Sequence, residues 1–132
     1  MEKNKILYVE DKLSLFGLMR NILRNYELTN ANNLEDALSI IKQSDFDIYI
    51  SDGRYPPRKG EKESSEAWKK FYESLKEMKG TVPFILFSGD FAAIEEAKSL
   101  GIKAFVKGEV TELENYLKKI LKRGKWKMEK EK

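Results

Sequence analysis

Short β-rich apolar runs alternate five times along this chain with stretches whose apolar residues recur at helical spacing. With connections this short, the alternation leaves few architectures open. The runs are Lys5-Ile6-Leu7-Tyr8-Val9, Tyr26 to Thr29, Phe46 to Ser51, Val82 to Phe87 and Ala104-Phe105-Val106. The first is nearly continuous in apolar residues, as a strand covered on both faces must be. The helical stripes are Leu15, Leu18, Met19 and Ile22; Leu34, Ala37, Leu38 and Ile41; Trp68, Phe71, Leu75 and Met78; Ile94, Ala97 and Leu100; and Leu113, Leu117, Ile120 and Leu121. Asn33 is placed to cap the second helix, with Glu35 and Asp36 in its first turn. Ser64 or Ser65 and then Asp90 can cap the next two, and Thr111-Glu112-Leu113-Glu114 fits a capping box opening the last. Gly80 and Gly101 stand where helices should end. The expected fold is α/β: one doubly wound, five-stranded parallel sheet with helices on both faces and right-handed crossovers.

The 132 residues, 41% of them apolar, suffice for one such core. No apolar run approaches the roughly 20 residues of a bilayer span, and Met1 to Asn4 lacks a signal-peptide layout. A soluble, cytoplasmic protein with no membrane association is therefore expected. Cysteine and histidine are both absent, which excludes disulfides, thiolate nucleophiles, Cys/His zinc sites and histidine acid–base chemistry. Residues 122–132 hold six bases and two acids, more than the whole net charge of +3. The basic balance thus belongs to the end of the chain, read as a tail over 123–132 following a domain over 1–122. It is expected to be a solvated, frayed helix end, and no direct nucleic-acid binding is expected.

Glu10 and Asp11 follow the first run, Asp52 the third, Ser88 the fourth and Lys107 the fifth. In a parallel sheet these positions share the carboxyl edge, where open α/β sheets form their ligand crevice. Converging carboxylates repel and require a cation. Lys107 supplies one charge, and an all-oxygen set favours Mg²⁺ as the other. A carboxylate beside such an ion can attack phosphorus and become an acyl phosphate. The lysine and metal would neutralise the phosphoryl oxygens while the serine hydroxyl donates to one of them. Asp52, central in the sheet, is the expected acceptor.

The stretches ILYVED, IYISDGRYP, VPFILFSG and AKSLGIKAFVKG, in that order, resemble the CheY-like receiver domain of two-component response regulators from about Lys3 to Leu121. The resemblance implies a flavodoxin-like (βα)5 fold with strand order 2-1-3-4-5. It implies phosphoryl transfer to Asp52, with Asp11 binding Mg²⁺ directly and Glu10 acting through metal-bound water. The main-chain carbonyl of Arg54 would be a further ligand, Ser88 the switching hydroxyl and Lys107 the family's lysine. The donor would be a phosphohistidine on a sensor histidine kinase or histidine phosphotransfer protein, and the output phosphorylation-dependent binding of a downstream protein. The signalling face would be the fourth helix, fifth strand and fifth helix. With so little chain after Leu121, a stand-alone receiver rather than an enzyme is expected, its only reactions self-catalysed phosphoryl transfer and slow autodephosphorylation.

The sequence departs from that family in three places. Gly108 replaces the usual proline after Lys107, and glycine keeps almost the whole non-proline cis penalty of about 2.5–4 kcal/mol. The family's aromatic switch lies three residues before the lysine, where this chain has Ala104; Phe105 is one place closer, on the opposite face unless the loop compensates. The connection after Asp52 is longer than usual and carries Arg54, Arg58, Lys59 and Lys62 against Glu61 and Glu63. Arg54 could approach the phosphoryl group, or the segment could be a partner surface. These departures define an alternative, a phosphorylation-independent pseudo-receiver acting as an interaction module. A haloacid-dehalogenase-type phosphatase ranks last, because it expects an acid where Arg54 stands.

Overall fold

The computed structural model describes residues 3–131, with side chains described for 3–121. Its elements are β1 (Lys5–Val9), α1 (Leu13–Ile22), β2 (Glu27–Ala31), α2 (Leu34–Gln43), β3 (Ile48–Ser51), α3 (Ala67–Lys79), β4 (Phe84–Ser88), α4 (Phe91–Ser99), β5 (Lys103–Val106) and α5 (Val110–Glu131). All five strands run parallel in the order β2-β1-β3-β4-β5. This is the flavodoxin-like α/β arrangement expected from the alternation and the resemblance.

The period of two along each strand sorts the core into two layers. Leu7, Val9, Tyr49, Leu86 and Ala104 face α2, α3 and α4, where Ala37, Ile41, Trp68, Phe71, Leu75, Ile94 and Ala97 are buried. Ile6, Tyr8, Ile48, Ile50, Ile85, Phe87 and Phe105 face α1 and α5, packing on Met19, Leu23, Leu113 and Leu117. The central strands are buried along their whole length, which is why their sequence reads as a run and not an alternation.

Two expected caps are present. Asn33 Oδ1 accepts from the Asp36 N–H at 2.8 Å, and Asp90 Oδ1 accepts from Ala92 at 3.0 Å. Gly80 and Gly101 take the positive φ angles that end α3 and α4. Other expectations need correction. α5 begins at Val110, so Thr111 lies inside the helix and forms no capping box; Glu109 stands before it, its carbonyl accepting from Leu113 and its side chain from the Val106 N–H. Ser64 accepts from the Glu66 N–H, but α3 starts only after Glu66. Leu18 and Leu100 are exposed rather than core. α1 is short and buries only Met19 within it, followed by Leu23, so Leu18 turns outward; the turn at Gly101 buries Ile102 in place of Leu100. The expected boundary at 122 falls within α5, and the side chains of the basic tail lie outside the described residues. No helix among the described residues is long and apolar enough to cross a membrane.

Candidate functional site

The sheet ladder continues one step past several strands and so fixes where the polar residues sit. The Glu10 N–H donates to the Ala31 carbonyl at 2.9 Å, Asp52 to Val9 at 3.0 Å and Lys107 to Ser88 at 3.0 Å. Parallel register then gathers the side chains at one edge. Oxygens of Glu10, Asp11 and Asp52 lie within 4.8 Å of one another. The Lys107 ammonium donates to Glu10 Oε1 and, at 3.3 Å, to Asp52 Oδ2. Glu10 is fully buried; it also accepts from the Tyr8 hydroxyl at 3.2 Å and the Lys12 N–H at 3.3 Å. Asp52 Oδ1 accepts from the Gly53 N–H at 2.6 Å, and Ser88 Oγ accepts from the Asp90 N–H at 3.0 Å. Gly53 is required by this crowding: a Cβ there would stand 2.7 Å from Ala93 Cβ and 2.8 Å from Ser88 Oγ.

A cavity of about 340 Å³ opens above these groups, lined among others by Lys12, Asp52, Arg54, Glu63, Ser88 and Lys107. All five side chains expected at the sheet edge are therefore together. Arg54 is at the rim, its half-exposed guanidinium 3.8 Å from Asp90. Phe105 is not at the site. It is buried on the α5 side, 5.8 Å from the Tyr116 ring, while Ala104 faces α4. The register Phe87 to Phe105 and Ser88 to Val106 leaves no slack for the aromatic to change face. No cis peptide occurs among the described residues.

Burial raises the Asp52 pKa above the usual carboxylate value, and Glu10 raises it further; Lys107, the Gly53 N–H and Ser88 oppose them. Burial and then Glu63 raise Asp11. The Tyr8 hydroxyl is pushed up, chiefly by burial and then by Glu10. A carboxylate whose folded pKa is raised binds its proton more tightly in the folded state, so its charge opposes folding above that pKa. Asp52→Asn is accordingly expected to melt higher than the parent at pH 8 in EDTA. Its advantage should shrink as the pH falls through the raised Asp52 pKa towards 4, where the parent regains that stability by protonation. Melting curves across that range check it, and an advantage that grows on acidification would contradict the site electrostatics.

Sequence reasoning missed two groups. Tyr8 could have been found, since it lies two residues before Glu10 on the same strand face. Glu63 carried no periodic signal, and only the folding of its long connection brings it to the cavity.

No protein-family model and no curated relative matches this sequence. Solved structures do match in fold. The receiver domain of a putative LuxO repressor protein from Vibrio parahaemolyticus superposes with a TM-score of 0.76 at 19% identity, covering 98% of each chain. A putative response regulator from Chloroflexus aurantiacus gives 0.74 at 23% identity, covering 91% of this chain and 98% of its own. The response regulator TrrA from Thermotoga maritima, in complex with Mg²⁺ and BeF, gives 0.71 at 23%, covering 90% and 98%. Near-complete coverage in both directions, with the same strand order and an acidic cluster at the carboxyl edge, gives this chain the fold of the CheY-like receiver domains of response regulators.

Proposed function

We propose that this chain is a receiver that accepts a phosphoryl group on Asp52 in two-component signalling. The observation that carries the proposal is the convergence of Asp52 with Glu10, Asp11 and Lys107 beneath one open cavity. The residues also fit Mg²⁺. The donor set is entirely oxygen, and Asp11 Oδ1 is buried without a hydrogen-bond partner among the described residues, a costly arrangement unless a cation meets it. Asp11 and Asp52 would hold the ion with the Arg54 carbonyl, and Glu10 would act through bound water. When bound, Mg²⁺ would offset charge on the phosphoryl oxygens.

The protein's own groups supply the rest. A carboxylate oxygen of Asp52 forms the new bond to phosphorus as the bond to the donor breaks, and the donor leaves with that electron pair. The Gly53 N–H holds one Asp52 oxygen, leaving the other towards Lys107 and the cavity. Lys107 can turn from the carboxylates to a phosphoryl oxygen, and the Ser88 hydroxyl can donate to another. The donor would be a phosphohistidine of a sensor kinase or phosphotransfer protein, and the output binding to a downstream protein in the cytoplasm. Such a domain turns over no external substrate.

One observation favours a second reading, a phosphorylation-independent interaction module: no ring stands three residues before Lys107, and Phe105 is committed to the opposite layer. Intact mass after incubation with acetyl phosphate and Mg²⁺ separates the two. A single phosphoryl adduct, lost in Asp52→Asn and in EDTA, is expected. No adduct with small-molecule or phosphohistidine donors would favour the interaction module.

A further inference from the structure

Glu10 is the most deeply buried charge of the site, and three donors of the chain meet it. Its Oε1 accepts from the Lys107 ammonium and, at 3.2 Å, from the Tyr8 hydroxyl; its Oε2 accepts from the Lys12 N–H at 3.3 Å. Tyr8 is itself buried, in the layer against α1 and α5, and is not among the residues lining the cavity. Its neighbours on that face of the sheet, Ile6 on its own strand and Ile50 beside it in register, are aliphatic. The layer needs bulk at this position but no hydroxyl.

Lys107 bonds both Glu10 and Asp52, and in the reading above it turns to a phosphoryl oxygen as the new bond forms. A buried carboxylate left without its partner is costly, because nothing then offsets its desolvation. Once the ammonium turns away, the Tyr8 hydroxyl is the one side-chain donor remaining to Glu10 among the described residues, and it sits on the oxygen that the ammonium vacates. While Lys107 is in place, the same hydroxyl shares its acceptor and so slackens the hold of Glu10 on the lysine. We infer that Tyr8 is a positioning residue for phosphoryl transfer: its hydroxyl keeps Glu10 fixed and satisfied, and thereby frees Lys107 to move from the carboxylates to the phosphoryl group.

The inference rests on the functional reading above, and its test keeps the two apart. Lys107→Met imitates an ammonium that has left Glu10. In urea unfolding of the full chain in EDTA, Tyr8→Phe should lower the folding equilibrium constant about tenfold more in the Lys107→Met background than in the parent, a coupling of about 1.4 kcal/mol. Tyr49→Phe removes the hydroxyl of another buried tyrosine, which accepts from the Phe46 N–H at 3.1 Å on the other layer, and should cost the same in both backgrounds. With Lys107 intact, Tyr8→Phe should take up phosphoryl from acetyl phosphate about tenfold more slowly, with Mg²⁺ affinity unchanged. Additive losses in the unfolding cycle, or unchanged uptake by folded Tyr8→Phe, would overturn the inference and leave phosphorylation of Asp52 standing. An equal excess loss with Tyr49→Phe would also overturn it, because general fragility would then suffice. If Lys107→Met does not fold, the uptake rate alone decides. If the parent takes up no phosphoryl group from any donor, the functional reading falls and the inference falls with it.

Discussion

Lys107→Met is expected to destabilise the metal-free protein by about 3 kcal/mol, the lower end of what breaking a buried ion pair costs. The lower end applies because the lysine side chain keeps 22% of its exposure while Glu10 keeps none. Methionine preserves most of the stem and removes the only ammonium that touches both Glu10 and Asp52 among the described residues. The loss therefore reports charge and not packing. Urea unfolding in EDTA measures it. Because the penalty comes from carboxylates left facing one another, Glu10→Gln in the Lys107→Met background should restore part of the stability. A loss below about 0.5 kcal/mol, the usual surface value, would mean that the lysine does not hold the cluster together.

Trp68→Ala should cost about 3–5 kcal/mol, as large-to-small changes at fully buried aromatic positions do. Trp68 is the largest of the fully buried side chains and sits in the first turn of α3, in the layer with Phe71, Leu75 and Ala97. Trp68→Phe should cost much less. It keeps a ring in the core and removes an indole N–H that has no partner among the described residues. Chemical denaturation of both variants gives the comparison, and similar losses would mean that the N–H is satisfied after all.

The fold was legible because two periods were legible. Buried parallel strands read as runs, helices as stripes, and their alternation admits little besides a doubly wound sheet. The edge of the sheet followed from that topology, and Glu10, Asp11, Asp52, Ser88 and Lys107 followed from the edge. What escaped was set by features without a period. Whether α5 began at Val110 or after Thr111 depended on Glu109 turning back to the Val106 N–H. Leu18 and Leu100 belong to stripes by spacing alone, and the geometry of short helix ends turned them outward. Glu63 was one acid among several charges in a loop, and the partners that tie that loop down at Pro56 and Pro57, Leu34 and Glu35, lie more than twenty residues away in sequence.

The prolines after Asp52 have a mechanical consequence. Donor groups at the first turn of a helix are ordinarily met by a side chain or by solvent. In α2 the Leu34 and Glu35 N–H groups are met by the carbonyls of Pro56 and Pro57, residues stiffened by their own rings and only four and five positions after Asp52. A shift of the backbone beyond Asp52 must either drag the beginning of α2 with it or strip that helix of two bonds at once. Motion at Asp52 is thereby geared to α2, on the flank of the molecule opposite β5.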